Sequence, residues 1–182
     1  ATEANRDDLQ FYSHYLPRRM TAEQILDSLG TATGVRETFS GLPPGVRAQQ
    51  LPDTKIPSTF LDTFGRPLRR VASCECERVQ QVNMAQALEL MHSGVLHDRV
   101  TTDEALVARM LVEGRSDEAV LQEIYLRTLS RPPSGEESAA LLGQYGELDD
   151  ATPAEGRAAV YREFFEDLLW AVLNSKEFLF NH

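Results

Sequence analysis

Cysteine, tryptophan and long apolar runs are scarce in this sequence of 182 residues, which contains two cysteines and one tryptophan. Two cysteines are too few for the disulfide framework on which many small secreted domains depend. A membrane helix needs about 20 consecutive apolar residues, and no segment approaches that length. The first residues also lack the basic and then apolar layout of a signal peptide. We therefore expect no membrane insertion, and any export signal of a parent protein is expected outside this sequence.

Basic residues are in deficit, with 18 Lys and Arg against 28 Asp and Glu and a formal net charge of -10. Phosphate binding is driven by Lys and Arg that release counterions, so this balance argues against a nucleic-acid partner and against an anionic membrane surface. The imbalance is concentrated in residues 101–182, which carry 7 basic and 16 acidic side chains.

Signatures of several enzyme classes are missing as well. The sequence has no Gly-x-Ser-x-Gly elbow, no His-Glu-x-x-His, no phosphate-binding glycine loop and no dinucleotide fingerprint. The haem-attachment pattern Cys-x-x-Cys-His is also absent. These motifs therefore identify no catalytic residues, which stay unknown from sequence, and we expect no cofactor in this domain.

What is present is an ordinary globular composition, 42% hydrophobic and 25% charged, with helical periodicity. We predict one mainly α domain over 1–182, an irregular bundle of about six helices with little or no strand. It divides into an extended arm at 1–20, a first helix at 21–34, an irregular segment at 39–80 and a helical bundle at 81–182. In the first helix Thr21 and Gln24 have the spacing of a capping box.

Further helix starts are predicted from capping residues. These are Thr101-x-x-Glu104, Ser116, Ser134-x-x-Glu137 and the Thr152-Pro153 pair, whose helix should run to about Asn174. The later part of that last helix is apolar nearly all round, so the helix belongs in the middle of the bundle. Another helix is expected over 82–92, with Gly94 as its stop. The final Phe178, Leu179 and Phe180 should dock onto the domain.

The segment at 39–80 is rich in proline and glycine, which forbid a long regular element. One short helical turn is predicted from Ser58 to Phe64, ended by Gly65. Phe60, Leu61 and Phe64 supply apolar area, so we expect this segment to be ordered against the helices rather than to remain an unstructured linker.

Cys74 and Cys76, with His92 and His97, form the most concentrated set of chemically reactive side chains. Thiolate and imidazole groups are zinc ligands, but a single residue between the cysteines is shorter than the usual spacing, so a metal site is not favoured. A strained, easily reduced disulfide between the two thiols would suit a redox role. Ordinary reduced cysteines remain the third interpretation.

Charged side chains surround the cysteines in sequence. A pocket for an anion or a carbohydrate is one interpretation of this set, and an arginine–carboxylate network that fixes the loop to the helices is the other and the favoured one. The candidate binding residues are Arg66, Arg69, Arg70, Glu75, Glu77 and Arg78.

Several motifs resemble the planctomycete-specific domain of unknown function, type one. They are Phe60-Leu-Asp-Thr-Phe-Gly65-Arg66-Pro67, Cys74-Glu75-Cys76-Glu77-Arg78, Gln86-Ala-Leu-Glu-Leu90, Tyr125-Leu-Arg127-Thr-Leu-Ser-Arg131-Pro132-Pro133-Ser-Gly-Glu136-Glu137 and Leu168-Leu-Trp170-Ala-Val-Leu-Asn174-Ser175-Lys-Glu177-Phe178.

The resemblance implies a position near the C-terminus of a large exported protein, periplasmic or extracellular, which often carries cytochrome-c-like modules upstream. It implies no catalytic residues. We therefore expect a non-catalytic interaction or assembly module whose partners are the upstream domains of the same parent. The alternative is an extracellular glycan-binding or glycan-processing domain that uses the charged loop between Arg66 and Arg78.

Overall fold

Helices account for most of the described chain, as the sequence predicts. The structure is a computed structural model that describes residues 8, 11, 13, 14, 17–66, 86, 94–151, 153 and 156–181, without the side chains of 149, 150 and 181. The longer helices are α1 (Ala22–Thr33), α3 (Gly94–Thr101), α4 (Leu106–Val112), α5 (Asp117–Leu129), α6 (Gly135–Ala151) and α7 (Arg157–Leu173). The shorter elements are strand β1 (Arg18–Arg19), a 3₁₀ helix (Ala48–Gln50), α2 (Thr59–Thr63), α8 (Lys176–Leu179) and strand β2 (Phe180–Asn181).

Helix α1 begins and ends where its capping residues predict. The Thr21 hydroxyl accepts a hydrogen bond from the backbone N–H of Gln24, whose side chain accepts one from the N–H of Thr21. The helix ends at Gly34, which has a φ of 79°. An L side chain rarely adopts that conformation, so glycine is the residue suited to this end. The apolar stripe between the caps, including Ile25 and Leu29, is fully buried.

Helix α7 lies at the centre of the bundle, which confirms the expectation from its apolar sequence. It contacts α3, α4, α5, α6 and α8. Phe165, Leu169 and Leu173 on one face are completely buried. Trp170 is half-buried and packs against the same core. A helix with a strongly apolar second half therefore packs against five other helices.

The described part of the irregular segment, 39–66, is packed onto this scaffold. Phe39, Phe60, Leu61 and Phe64 are buried in the same core as α1. Ser58 caps α2 by accepting a hydrogen bond from the backbone N–H of Leu61. The predicted short turn is thus confirmed, together with its end at Gly65, where φ is 85°.

Strands β1 and β2, which lie near the two ends of the described chain, form a small antiparallel sheet. Arg18 pairs with Asn181 and Arg19 pairs with Phe180. The backbone N–H of Met20 also donates to the carbonyl of Leu179 at 3.0 Å. Phe178 is buried, so the apolar terminus docks as expected.

The caps predicted at Ser116 and Ser134 are present, but the one at Thr101 is wrong. Thr101 is the last residue of α3 and its hydroxyl donates to the carbonyl of His97. The next helix begins at Leu106. The reason is tertiary, because the Arg162 side chain of α7 donates to the carbonyl of Thr101 and, at 2.7 Å, to Asp103, holding 101–103 as a turn.

Two other boundaries differ from the sequence prediction. The helix expected at 82–92 lies almost wholly outside the described residues, and Gly94, its expected stop, instead lies within α3. Helix α7 starts at Arg157 rather than near Pro153, and its first described neighbour, Gly156, provides no side-chain cap. No helix among the described residues has the length and apolar character needed to cross a membrane.

Candidate binding groove

Most of the site residues predicted from sequence lie outside the described residues. This applies to Arg69, Arg70, Cys74, Glu75, Cys76, Glu77, Arg78 and His92. The disulfide, redox and zinc interpretations of the two cysteines therefore stay predictions. Of the predicted binding and metal-site residues, Arg66 and His97 are the two that lie among the described residues.

Arg66 is buried behind α2 rather than presented to solvent. Its side chain is 5% exposed, and its Nε donates to Asp62 Oδ1 at 2.6 Å. Its backbone N–H donates to the carbonyl of Leu61 at 3.0 Å. The Nη1 atom is buried and has no hydrogen-bond partner among the residues that the structure describes. This placement favours the structural interpretation of Arg66 over contact with a large soluble ligand.

His97 lies exposed on α3. Within the described ranges, no group of three or more His, Cys, Asp or Glu residues is arranged to hold a metal ion. A zinc site that includes His97 would need ligands from the part of the chain outside those ranges.

Asp27 of α1 fixes the irregular segment from one side. Its two carboxylate oxygens accept hydrogen bonds from the backbone N–H groups of Ala48, at 2.7 Å, and Gln49, at 3.1 Å. These are the first N–H groups of the 3₁₀ helix, which have no partner within the helix. The carboxylate thus caps an element from a distance of more than 20 positions in the sequence.

Arg99 of α3 fixes the same segment from the other side. The Arg99 side chain is 8% exposed, and it donates to Glu37 Oε2 at 2.5 Å and to the carbonyl of Val35 at 3.2 Å. Burial lowers the pKa of Arg99, and the charge of Glu37 opposes that effect. Glu37 in turn accepts a hydrogen bond from Ser58 at 3.5 Å, which links α3 to the cap of α2.

A third connection involves Gln86. The Arg19 side chain of β1 donates to Oε1 of the Gln86 side chain. The side-chain Nε2 of Gln86 donates to the backbone carbonyl of Thr63 at 3.1 Å. Gln86 is 2% exposed, so both hydrogen bonds are shielded from water. The described part of the irregular segment is therefore held at both of its ends and in its middle.

The anchored segment forms one wall of an open groove of about 460 Å³. The other walls are the face of α1 that carries Asp27, Ser28 and Thr31, the end of α5 at 127–130, and the docked terminus of the chain. Arg47 and Gln49 contribute from the irregular segment. The volume falls in the range typical of ligand sites, and the lining mixes polar and apolar groups.

Both carboxylates in the groove lining are engaged in hydrogen bonds. Asp27 accepts the two backbone N–H groups described above. Glu177 is held by Arg131 in a two-pronged pair, with Nε to Oε1 at 2.6 Å and Nη2 to Oε2 at 3.1 Å. The other side of the Arg131 guanidinium holds Glu137 at 2.8 and 2.9 Å. Hydrogen bonding to Arg131 lowers the pKa of Glu137 to about 2.

The two arginines of the lining differ in their contacts. Arg127 donates to Glu123 at 2.6 Å and to the carbonyl of Thr31 at 3.3 Å, which joins the end of α5 to α1. Arg47 is exposed and lines the groove from the irregular segment. Counted by residue type, the groove lining is therefore neutral, with Arg47 and Arg127 against Asp27 and Glu177.

A known protein family matches most of this chain. The PSD1 family model, described as protein of unknown function (DUF1553), matches residues 1–145. This chain belongs to the PSD1 family. The match confirms the resemblance seen in the sequence motifs, although the motif at the end of α7 lies beyond the matched range. No curated protein and no solved structure matches.

The groove of this PSD1 domain was not predicted from sequence. Arg47 and Arg127 are 80 positions apart and belong to no shared motif. Arg127 lies within a motif that carries the family resemblance, but it was not among the candidate site residues. Proximity of these side chains arises only from the packing of the 3₁₀ helix and the end of α5 on either side of α1.

Proposed function

We propose that this PSD1 domain is a non-catalytic interaction module of a larger exported protein, and that the groove is its docking site. The observation that carries the proposal is that a proline-rich and glycine-rich segment is held by Asp27, Arg99 and Gln86 beside an open groove. A surface that is already ordered loses little conformational entropy when a partner binds, which lowers the free-energy cost of association.

The partner that we propose is the upstream part of the same parent protein, which the family resemblance associates with cytochrome-c-like modules. In this proposal the domain itself holds no cofactor, and any haem belongs to the upstream modules. The parent is proposed to act in the periplasm or outside the cell. The present domain would position those modules without contributing to their chemistry.

Association with the separately expressed remainder of the parent protein tests this proposal. Isothermal titration calorimetry should give saturable binding, and a Gln49→Trp variant should weaken it because the larger side chain occupies the groove. Gln122→Trp is the matched control, since Gln122 is also exposed but lies on α5 outside the groove lining. Absence of association at high concentration, or equal binding by both variants, would contradict the proposal.

The glycan alternative uses the loop between Arg66 and Arg78. The burial of Arg66 counts against it, because a buried guanidinium cannot contact a large glycan without rearrangement. A thermal-shift screen against neutral and acidic oligosaccharides separates the two functions, since a ligand that binds only the folded state raises the melting temperature. Stabilisation by an oligosaccharide that survives Gln49→Trp would favour the alternative.

A further inference from the structure

We propose that the groove binds a short, uncharged oligosaccharide. This inference goes beyond the proposed function, because it assigns a small soluble ligand to the groove and holds whether or not the parent protein docks there. Three features of the groove carry it: the neutral charge of the lining, the hydrogen-bonding groups that the lining holds in place, and the apolar side chains along one edge.

The charge of the lining favours an uncharged ligand. Arg47 and Arg127 stand against Asp27 and Glu177, so the two signs balance. Arg127 is also paired with Glu123 outside the lining. A charged ligand would exchange its hydration for a surface without a net opposite charge, and that exchange costs free energy. An uncharged ligand avoids this cost.

Side chains in the lining offer hydrogen-bond donors and acceptors together. The Asp27 carboxylate accepts two backbone N–H groups, and an ionised carboxylate has lone pairs for more than these. The Arg127 guanidinium uses Nε and Nη1 in its described hydrogen bonds, and its Nη2 also carries N–H groups. The hydroxyl-bearing residues Ser28, Thr31 and Ser130 line the same groove. The lining is therefore rich in hydrogen-bonding groups without carrying a net charge.

The end of α5 adds backbone acceptors to the groove. The last carbonyl groups of an α-helix have no partner within that helix, and here Pro132 and Pro133 follow, which have no N–H to donate to the carbonyls of Thr128 and Leu129. Ser130 ends the helix in the left-handed conformation, with a φ of 57°. Among the described residues, no backbone N–H donates to the carbonyls of 127–129. A ligand in the groove can therefore supply donors to this wall.

An oligosaccharide matches this mixture of groups. Each hydroxyl is a donor and an acceptor at once, so a sugar ring carries both functions around its edge without a charge. Its hydroxyls can donate to the carbonyls at the end of α5 and accept from Arg47 on the opposite wall. An apolar ligand would leave these polar groups without partners, and an unsatisfied polar group that is removed from water costs free energy.

Apolar side chains form one edge of the groove. Met20, Leu129 and Phe180 are half-buried there, and Phe178 is buried in the same lining. The faces of a sugar ring carry C–H groups, which gain free energy when they leave water for contact with apolar side chains. A ring whose hydroxyl edge meets the polar walls can turn a face toward this edge. Both kinds of surface in the groove then have a counterpart on the ligand.

Nuclear magnetic resonance titration of the isotope-labelled 182-residue chain tests the inference. The neutral probes are cellotetraose, maltotetraose, xylotetraose and chitotetraose, and the charged control is tetragalacturonate. At least one neutral probe should shift the backbone amide signals of Ser28, Gln49 and Ser130 saturably, and tetragalacturonate should bind several-fold more weakly. Gln49→Trp should abolish the shifts because its side chain fills the groove, whereas Gln122→Trp on the outside of α5 should retain them.

Two charge-removing variants separate a hydrogen bond in the groove from the overall charge of the protein. Arg47→Met should weaken the neutral probe about threefold to tenfold, as expected for the loss of one hydrogen bond. Lys55→Met removes an equal charge outside the groove and should leave the affinity within about twofold. Raising the NaCl concentration roughly tenfold should also change the affinity by less than about twofold, because the probe has no charge to be screened.

Several results would overturn the inference. They are the absence of saturable shifts with all four neutral tetrasaccharides, shifts that persist in Gln49→Trp, equal effects of Arg47→Met and Lys55→Met, and tighter binding of tetragalacturonate. A capped peptide of alternating Gln and Leu that shifts the groove amides when none of the sugars does would also overturn it, since the ligand would then be a peptide.

Failure of this inference is distinguishable from failure of the proposed function. The sugar titration contains no part of the parent protein, and the docking assay contains no sugar. If the remainder of the parent binds wild type and not Gln49→Trp while no tetrasaccharide shifts the groove amides, the module stands and the oligosaccharide is wrong. If a tetrasaccharide binds through Arg47 but the parent does not associate, the sugar site stands and the docking function is wrong.

Discussion

At the scale of single residues, the stability of the irregular segment depends on a few buried polar contacts. Arg99 and Glu37 form a mostly buried ion pair that also satisfies the carbonyl of Val35. Removing one member of such a pair leaves the other charge without compensation in a poorly solvated place. The sequence did not single out either residue, because they are 62 positions apart and neither belongs to a recognisable motif.

Arg99→Met should destabilise the protein by about 2–4 kcal/mol, somewhat below the cost of breaking a fully buried pair because Glu37 keeps some solvent contact. Urea denaturation followed by circular dichroism measures the free energy of unfolding. Lys55→Met, which removes an exposed pair with Asp53, is the control and should change it by less than about 1 kcal/mol. Equal losses in the two variants would show that Arg99 does not anchor the segment.

At the scale of elements, helix ends were predicted well where the signal is local. The caps at Thr21, Ser116 and Ser134 were all correct, because each involves residues no more than three positions apart. The cap at Thr101 has the same spacing and was wrong, since Arg162 from a distant helix holds the turn that follows. Local signals therefore predict most of these boundaries, whereas the starts of α4 and α7 differ from the predicted ones.

Replacing two glycines by alanine should change the stability of the protein in opposite directions. Gly34→Ala should cost about 1 kcal/mol or more, because the αL conformation that ends α1 disfavours an L side chain. Gly143→Ala should instead stabilise by up to about 1 kcal/mol, since Gly143 lies within α6 and nothing is within 4 Å of the added Cβ. Thermal unfolding of the two variants measures both effects. Shifts of the melting temperature in the same direction would contradict the placement of Gly34 at a helix end and of Gly143 within a helix.

At the scale of the whole molecule, α7 and the Arg131 clamp hold the parts together. Helix α7 contacts most of the longer helices, while Arg131 joins the end of α5 to Glu137 of α6 and Glu177 of α8. Arg131 also lies 5.4 Å above the ring of Tyr125. The clamp fixes one end of the groove, because Glu177 belongs to its lining.

The clamp predicts a specific pH dependence. The folded protein lowers the pKa of Glu137 from 4.5 to about 2, so its contribution to stability is complete above pH 4.5 and is lost as the pH falls toward 2. Stability measured by urea denaturation between pH 5 and 2.5 should therefore fall less steeply in Glu137→Gln than in wild type. Glu136→Gln, an exposed neighbour in the same helical turn, should keep the wild-type slope, and an unchanged slope in Glu137→Gln would contradict the clamp.

The sequence by itself determined the helical class, the local caps, the central position of α7 and the family, because each depends on residue type and short-range spacing. Tertiary structure alone decided how the irregular segment is anchored and where the groove lies. Asp27, Arg47, Arg99 and Arg127 come from separate parts of the chain, and no pattern in sequence relates them. They lie close together because the helices pack against one another. In that packing, contacts between side chains that are far apart in sequence replace contacts with water and fix each loop against its neighbours.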